Sequence, residues 1–434
     1  MPKEPLINVV GRLLTNLGFE AYWPNHSIDI LKLKTQNTKP DEIEIDIIAK
    51  LGNVGFLVET TTQKEGNEGK IEKFLLKYNA IKNSKLSNSE IAKFFSGIPK
   101  DKIKNFDEIK EWRLIYIGTS PELIYKKIKS EDFGFKNELK IINIDDWFYI
   151  TKLADAIGEY AKFELISFLE VEHLIEKNYV DERKFDFYRV KNREITEING
   201  DSIKADIFLF SSSPEFLLKL CRVPRFYGLK DSDVNVYYQR MVNKNKLEDI
   251  RKKFIKDRDN RSFPTPITII LPAVPEEEII KENKFPIKMK YGSICIIDGQ
   301  HRLYSYTELS ERIKKEAEIL VNGIKFHIED PDKIGKFSAK TFIDINREQV
   351  KVKTSLFYLI AYDCMGDTSN EAISGKIISL CNYDSNSPLH DLFEGRALGR
   401  KSKLMISRIN VTEVTNKLSK IVKELRENPN GKKV

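Results

Sequence analysis

A chain of 434 residues is longer than one ordinary hydrophobic core supports, so two or three domains are expected. Its 41% hydrophobic and 10% aromatic residues suffice for packed cores, and no apolar run approaches the roughly 18 residues of a membrane span, which excludes the membrane-spanning classes. The net charge of +7 is modest but unevenly spread: residues 222–261 carry twelve Lys or Arg against six Asp or Glu, and residues 401–434 nine against three, whereas residues 1–150 are nearly balanced.

Two basic zones of this kind are either solvated helix faces or contacts to an acidic partner such as nucleic acid. No apolar signal region follows the opening Met-Pro-Lys-Glu-Pro, and Cys221, Cys295, Cys364 and Cys381 form no Cys-x-x-Cys pair. A soluble protein of the reducing cytoplasm is expected.

Leu6, Val9, Val10, Leu13, Leu14 and Leu17 recur at helical spacing ahead of Gly18, which predicts an amphipathic helix stopped by glycine. Residues 43–50 and 55–63 alternate apolar and polar side chains around Gly52-Asn53, the pattern of a hairpin with a two-residue loop. If Leu51 pairs with Val54, paired positions sum to 105, so Asp46 falls across from Glu59 and Glu44 across from Thr61. The opposite face, with Ile43, Ile45, Ile47, Ala49, Val54, Phe56 and Val58, is the one expected to bury. Opposed carboxylates repel unless a cation lies between them, which makes Asp46 and Glu59 candidate ligands of a hard divalent metal, most simply Mg²⁺. A helix over 70–82, a strand over 112–117 and a long helix over 151–173 are predicted next.

Helix, strand, hairpin with two acids, helix and strand, in this order, resemble the PD-(D/E)XK nuclease fold over residues 1–150. The resemblance implies metal-dependent DNA cleavage at Asp46 and Glu59. The lysine that the family places two residues after its second acid is Thr61 here. Lys50 lies one or two rungs away on the same face, and Lys64, Lys70 and Lys73 are the other lysines nearby in sequence. The alternative is a solvent-facing polar hairpin on an inactive nuclease-like fold kept for DNA binding or assembly.

Residues 151–180 read as a connector helix, after which helices and strands mix. Strands are predicted at 205–210, 266–271, 293–297 and 323–328, with a short helix at 214–221, helical pieces over 233–256, and a helix over 302–315. Thr341–Ile343 reads as a further strand leading into a polar corner at 344–349. The stripe Val411, Val414, Leu418, Ile421, Val422 and Leu425 predicts an amphipathic helix that forms core or an oligomer face. The expected class is mixed α/β (α+β), in two domains spanning 1–150 and 181–434.

Within the second domain the apolar strand ending at Ile297 breaks at Asp298-Gly299 and a helix begins, so His301 and Arg302 fall in its first turn. Free backbone N–H groups and an arginine fork at one point suit a phosphate. Arg251, Lys252 and Lys253, close after Tyr237 and Tyr238, are candidate nucleic-acid contacts. His327 and the cysteines lack metal-ligand spacing and read as structural, and no Walker loop is present.

Asp298-Gly299-Gln300-His301-Arg302 resembles the signature of the DGQHR-domain family, which includes DndB-like regulators of DNA phosphorothioation and is distantly similar to the ParB/sulfiredoxin fold. Tyr238-Gln239-Arg240 and the stretch from Phe342 to Gln349 extend the resemblance over about residues 180–430. It implies Asp298, His301 and Arg302 as catalytic groups handling phosphate, and Gly299, Gln300, Arg240, Asn346 and Gln349 as nucleotide or phosphate contacts. The implied cofactors are Mg²⁺ and ATP or another nucleotide. The implied partners are DNA and a DNA-modification enzyme, within a DNA-modification or restriction system; a second copy of the chain is the partner that the stripe over 411–425 would take if it forms an oligomer face. Three activities stay open: ATP hydrolysis at the DGQHR corner, non-enzymatic DndB-like transcriptional regulation through DNA binding, and metal-dependent DNA endonuclease action.

Overall fold

The computed structural model describes residues 5–23, 31–32, 42–43, 45–62, 87–93, 98–118, 138–171, 182–198, 201–225, 241–255, 263–282, 284–288, 290–347, 361–362, 366–383, 387–389 and 411–427, together with part of 71–82 and residues 95 and 239. The chain is mixed α/β and divides into two compact units, Met1–Tyr179 and Val180–Val434. Among the described residues no helix is long and apolar enough to cross a membrane.

The first unit opens with α1 (Leu6–Asn16), whose Leu6, Val10, Leu13 and Leu14 are buried and which ends at Gly18 with φ +86°. Its strands are β1 (Glu20–Tyr22), the short pair β2 (Leu31–Lys32) and β3 (Glu42–Ile43), then β4 (Ile47–Leu51), β5 (Val54–Thr60), β6 (Glu111–Gly118) and β7 (Leu139–Asn143). One sheet has the order β1-β4-β5-β6-β7. The β4–β5 register runs from Leu51 opposite Val54 to Ile47 opposite Val58, as the Gly52-Asn53 turn dictates.

Burial differs from the expectation of one wet face. Every residue of β5 is buried. Phe56 meets Phe19 edge-on on one side of the sheet, while on the other Ile48 and Leu57 join Leu114, Tyr116, Ile141 and the helical residues Ile71, Phe74 and Tyr78. The reason is what lies on each side: β5 and β6 run parallel, and the segment between them carries Ile71, Phe74 and Tyr78 over one face, while Phe19, just after α1, lies on the other. The helix foreseen over 151–173 starts earlier and is interrupted. Ile144–Ile157 is helical, Gly158 takes φ +62°, and the chain resumes as a 3-10 turn and the helix Lys162–Phe168, all within the first unit.

The second unit contains β8 (Glu182–Phe185), β9 (Tyr188–Ile198), β10 (Asp201–Ser212), β11 (Cys221–Arg222), β12 (Ile267–Ile270), β13 (Phe285–Lys288), β14 (Ile294–Asp298) and β15 (Ile319–Phe326). Six of them form a sheet of order β11-β14-β12-β15-β10-β9, and β13 pairs with β8. Parallel neighbours are β11 with β14 and β12 with β15; the other pairs are antiparallel. Thr341–Ile343 is helical, contrary to the predicted strand: it lies inside the helix Pro331–Arg347. Its β-branched run is overridden because Ile334, Phe337, Phe342 and Ile345 form a helical stripe against Ile324 and Phe326.

A buried charge network joins this sheet to the helix Glu276–Glu282. Asp206 is 2% exposed, accepts the N–H of Asn192 at 2.8 Å and lies 3.1 Å from His327 Nε2. It also pairs with Arg189, whose fork reaches both Glu276 oxygens at 2.7 Å. Burial alone works against ionisation of Asp206, but the Asn192 N–H, Arg189 and His327 outweigh it and hold the carboxyl below its ordinary range. An unfolded Asp titrates near ~3.9, so this contribution is complete above about pH 4 and is lost as pH falls through the lower folded value. Asp206→Ala leaves Arg189 without its buried partner and is expected to cost about 3–5 kcal/mol at neutral pH, read from the urea midpoint. Its stability should also fall less steeply than that of the parent below about pH 4; parallel acid curves would contradict this.

Candidate functional site

In the second unit β14 delivers the Asp298–Arg302 stretch to one corner. Gly299 has φ +97°, and a Cβ there would lie 2.6 Å from Ile267 Cγ2, so both backbone and space require glycine. Helix follows at once but is short, Gln300–Tyr304, and the second helical piece, Glu311–Glu316, is separate. The continuous helix predicted over 302–315 does not form, and five residues supply little of the dipole argued from a longer one.

Arg302 turns into the protein. Its Nη2 meets Asp298 at 2.7 Å, and its Nη1 donates to the carbonyls of Thr265 and Pro266 at 2.7 and 2.9 Å and to Thr265 Oγ1 at 2.5 Å. It braces β14 against the entry to β12. Gln300 is 9% exposed. His301 Nε2 accepts the backbone N–H of Asn243 at 3.2 Å, and Asn243 caps the helix Lys244–Ile250 that carries the first basic run.

Arg251, expected on a nucleic-acid face, is 7% exposed; its Nε donates to the Ser305 carbonyl at 2.9 Å and its Nη1 pairs with Glu308. Lys252 and Lys253 point outward, as do Lys244 and Lys246. Charge counting along a sequence cannot tell inward from outward, and here Arg251 is an anchor for the lysines around it. Arg240 and Gln349 lie outside the described residues. Asn346 belongs to the last turn of the helix Pro331–Arg347 rather than to a polar corner after a strand, and Asp344 there is paired with Lys340 at 2.5 Å.

Two further residues, buried beside the corner, are not marked by charge or spacing in the sequence. Gln239, next to the predicted Arg240, is 1% exposed and donates through Nε2 to the carbonyls of Ile296 and Ile297, the latter at 3.1 Å. Arg225 is equally buried, bridges to Gln239 along the backbone, and places its guanidinium 5.5 Å from the Tyr304 ring centre. The signal available in the sequence is positional: Gln239 is the middle residue of the Tyr238-Gln239-Arg240 triplet.

In the first unit the β4–β5 ladder stops one rung short of Asp46 and Glu59. Asp46 bends out, and its Oδ2 accepts both the N–H and the hydroxyl of Thr60 at 2.7 Å, replacing a ladder carbonyl. Glu59 is 2% exposed, which rules out a solvent-facing hairpin. Across the next ladder Glu59 stands beside Tyr116, which is fully buried. Burial first, then the charges of Glu59 and Asp46, raise the Tyr116 pKa far above the ordinary phenol value, so it keeps its proton. Lys50 is engaged elsewhere, 2.5 Å from Glu108 and 4.0 Å from Glu20. Lys64, Lys70 and Lys73 lie outside the described residues. Among the described residues no three His, Cys, Asp or Glu side chains are grouped to hold a metal.

Neither family models, nor curated proteins, nor solved structures yield a match for this chain.

The corner geometry sets a first expectation about its residues. Arg302→Ala should lower stability by about 1.5–3 kcal/mol, because a charged donor set is removed from Asp298, Thr265 and Pro266. Gly299→Ala should cost about 1–3 kcal/mol through backbone strain, aggravated by Ile267. Denaturant midpoints of the purified variants test both; an Arg302→Ala protein as stable as its parent would remove the brace.

Proposed function

We propose that the second unit is a binding module for DNA phosphate, serving a DNA-modification or restriction system as a DNA-associated regulator of the DndB-like kind. The observation that carries this is the coupling of the DGQHR corner to the basic helix. Asn243 is hydrogen-bonded to His301, and Arg251 to Ser305 and Glu308, so one stable surface carries Lys244, Lys246, Lys252 and Lys253 outward. Lysines on a rigid surface act as point charges for phosphate at modest ordering cost. In this reading Arg302 and Arg251 position the surface, and His301 and the lysines meet the ligand. Binding is favoured over nucleotide hydrolysis because the Arg302 fork is taken up by Asp298 and the 265–266 carbonyls.

Fluorescence anisotropy with a short duplex over a salt series tests it. Affinity should fall with salt at about −0.9 per phosphate contact, and reversing Lys252 and Lys253 to Glu should flatten the slope by about two contacts. Arg251→Met should instead lower stability. No binding at low salt, or a slope untouched by the reversals, refutes the reading.

A second reading concerns the acidic hairpin of the first unit. We infer that Asp46 and Glu59 take a divalent cation, supported by two carboxylates acting on one buried phenol whose Oη has no hydrogen-bond partner among the described residues. The residues fit oxygen-ligand binding of Mg²⁺ or Mn²⁺, and such an ion supplies charge that screens the two acids. Thr61 carries no charge to steady an attacking water or a phosphate, so strand cleavage would need one of Lys64, Lys70 and Lys73, which lie outside the described residues. Mn²⁺ should raise the melting temperature of the parent and leave that of Asp46→Asn unchanged; equal shifts in both would end this reading.

A further inference from the structure

Tyr116 lies where a phenylalanine would fill the same volume. The surrounding Leu57, Leu114 and Ile141 are apolar, yet position 116 carries a hydroxyl with no hydrogen-bond partner among the described residues. A buried hydroxyl left without a partner destabilises the fold unless a water or an ion takes it up, and here two carboxylates stand close by. The ring leans along β6 toward the end of the sheet. A Cβ at Gly118 would lie 3.0 Å from Tyr116 Cε1 and 2.8 Å from Thr61 Cγ2, so this glycine leaves the space in which ring and methyl meet. Asp46 crosses to Thr60 at the same end, and Glu59 is the ladder neighbour of Tyr116. Two carboxylates and a buried hydroxyl therefore converge beside Thr61.

We propose that Tyr116 is a positioning residue of a divalent-cation site, in which Asp46 and Glu59 supply oxygen ligands and the Tyr116 hydroxyl donates a hydrogen bond to a cation-bound water next to Thr61. The proposal rests on the reading of the acidic hairpin as a cation site. A phenol orients such a water without supplying a positive charge, so the arrangement serves retention of a hydrated ion, of Mg²⁺ or Mn²⁺ type, better than cleavage.

Mn²⁺ titration of the full chain, followed by melting temperature and by water-proton relaxation, tests this, with Tb³⁺ luminescence excited through tyrosine as the independent readout. Tyr116→Phe should melt at or above the parent without metal, because an unpartnered hydroxyl is removed from the core. Its Mn²⁺ affinity should fall about tenfold to a hundredfold, the weight of one hydrogen bond in a charged setting. Sensitised Tb³⁺ emission should drop, and the exchange of Mn²⁺-bound water should change. Gly118→Ala, which crowds the ring but keeps the hydroxyl, should also weaken Mn²⁺ binding. If neither ion affects the parent protein, the cation reading fails and the proposal with it. If binding depends on Asp46 but Tyr116→Phe keeps its affinity, water exchange and emission, the cation site stands and the role of Tyr116 is overturned.

Discussion

One guanidinium holds the centre of the second unit together. Arg302 reaches back to Asp298 at the end of β14 and across to Thr265 and Pro266 at the entry of β12, so two antiparallel neighbours are tied at the end where their pairing stops. The left-handed Gly299 is what lets the chain turn quickly enough for Asp298 and Arg302 to meet. Gln239 hydrogen-bonds to the carbonyls of Ile296 and Ile297 from a different segment, and Arg251 does the same to Ser305 beyond the turn. A motif that reads as a ligand-binding hand is, in its own atoms, largely a joint.

The two units handle buried charge differently. In the second, Asp206 is neutralised by Arg189 and hydrogen-bonded from three directions, and Arg189 shares its fork with Glu276. This network is a closed arrangement of acceptors and donors, of the kind that defines one packing among several. In the first, the acids near Thr60 sit beside a phenol whose hydroxyl has no hydrogen-bond partner among the described residues, and Lys50 is directed to Glu20 and Glu108 instead. Charge there is gathered without a cationic side chain among the partners described for Asp46.

Much of the local structure was legible in the sequence. The Gly52-Asn53 turn gave the hairpin register because a two-residue loop leaves no freedom in pairing, and the Asp298-Gly299 break marked the corner because only glycine tolerates its backbone angle. What could not be read depends on distant parts of the chain. Alternation predicted one buried face for β4 and β5, but the crossover from β5 to β6 covers one face and Phe19 lies on the other. Thr341-Phe342-Ile343 suits a strand by composition and is helical because of what Phe337 and Phe342 pack against. Arg251 belonged to a basic run and is buried because its side of the helix faces Glu308. In each case the deciding partner lies on another element of the fold, beyond the reach of a local pattern.

The hairpin of β9 and β10 has a consequence for solubility. Among the described residues β9, eleven residues long, is the outermost strand of its sheet, and its outer edge offers a template on which a second chain could add. Asn192 breaks that template with φ +52°, turning its N–H inward to Asp206, so the outer hydrogen-bonding row is not regular. Exposed Lys191 and Arg193 flank the break and put like charges where an incoming copy of the same strand would lie. The same Asp206 that satisfies the interior thus keeps the sheet's rim unsuited to edge-to-edge growth.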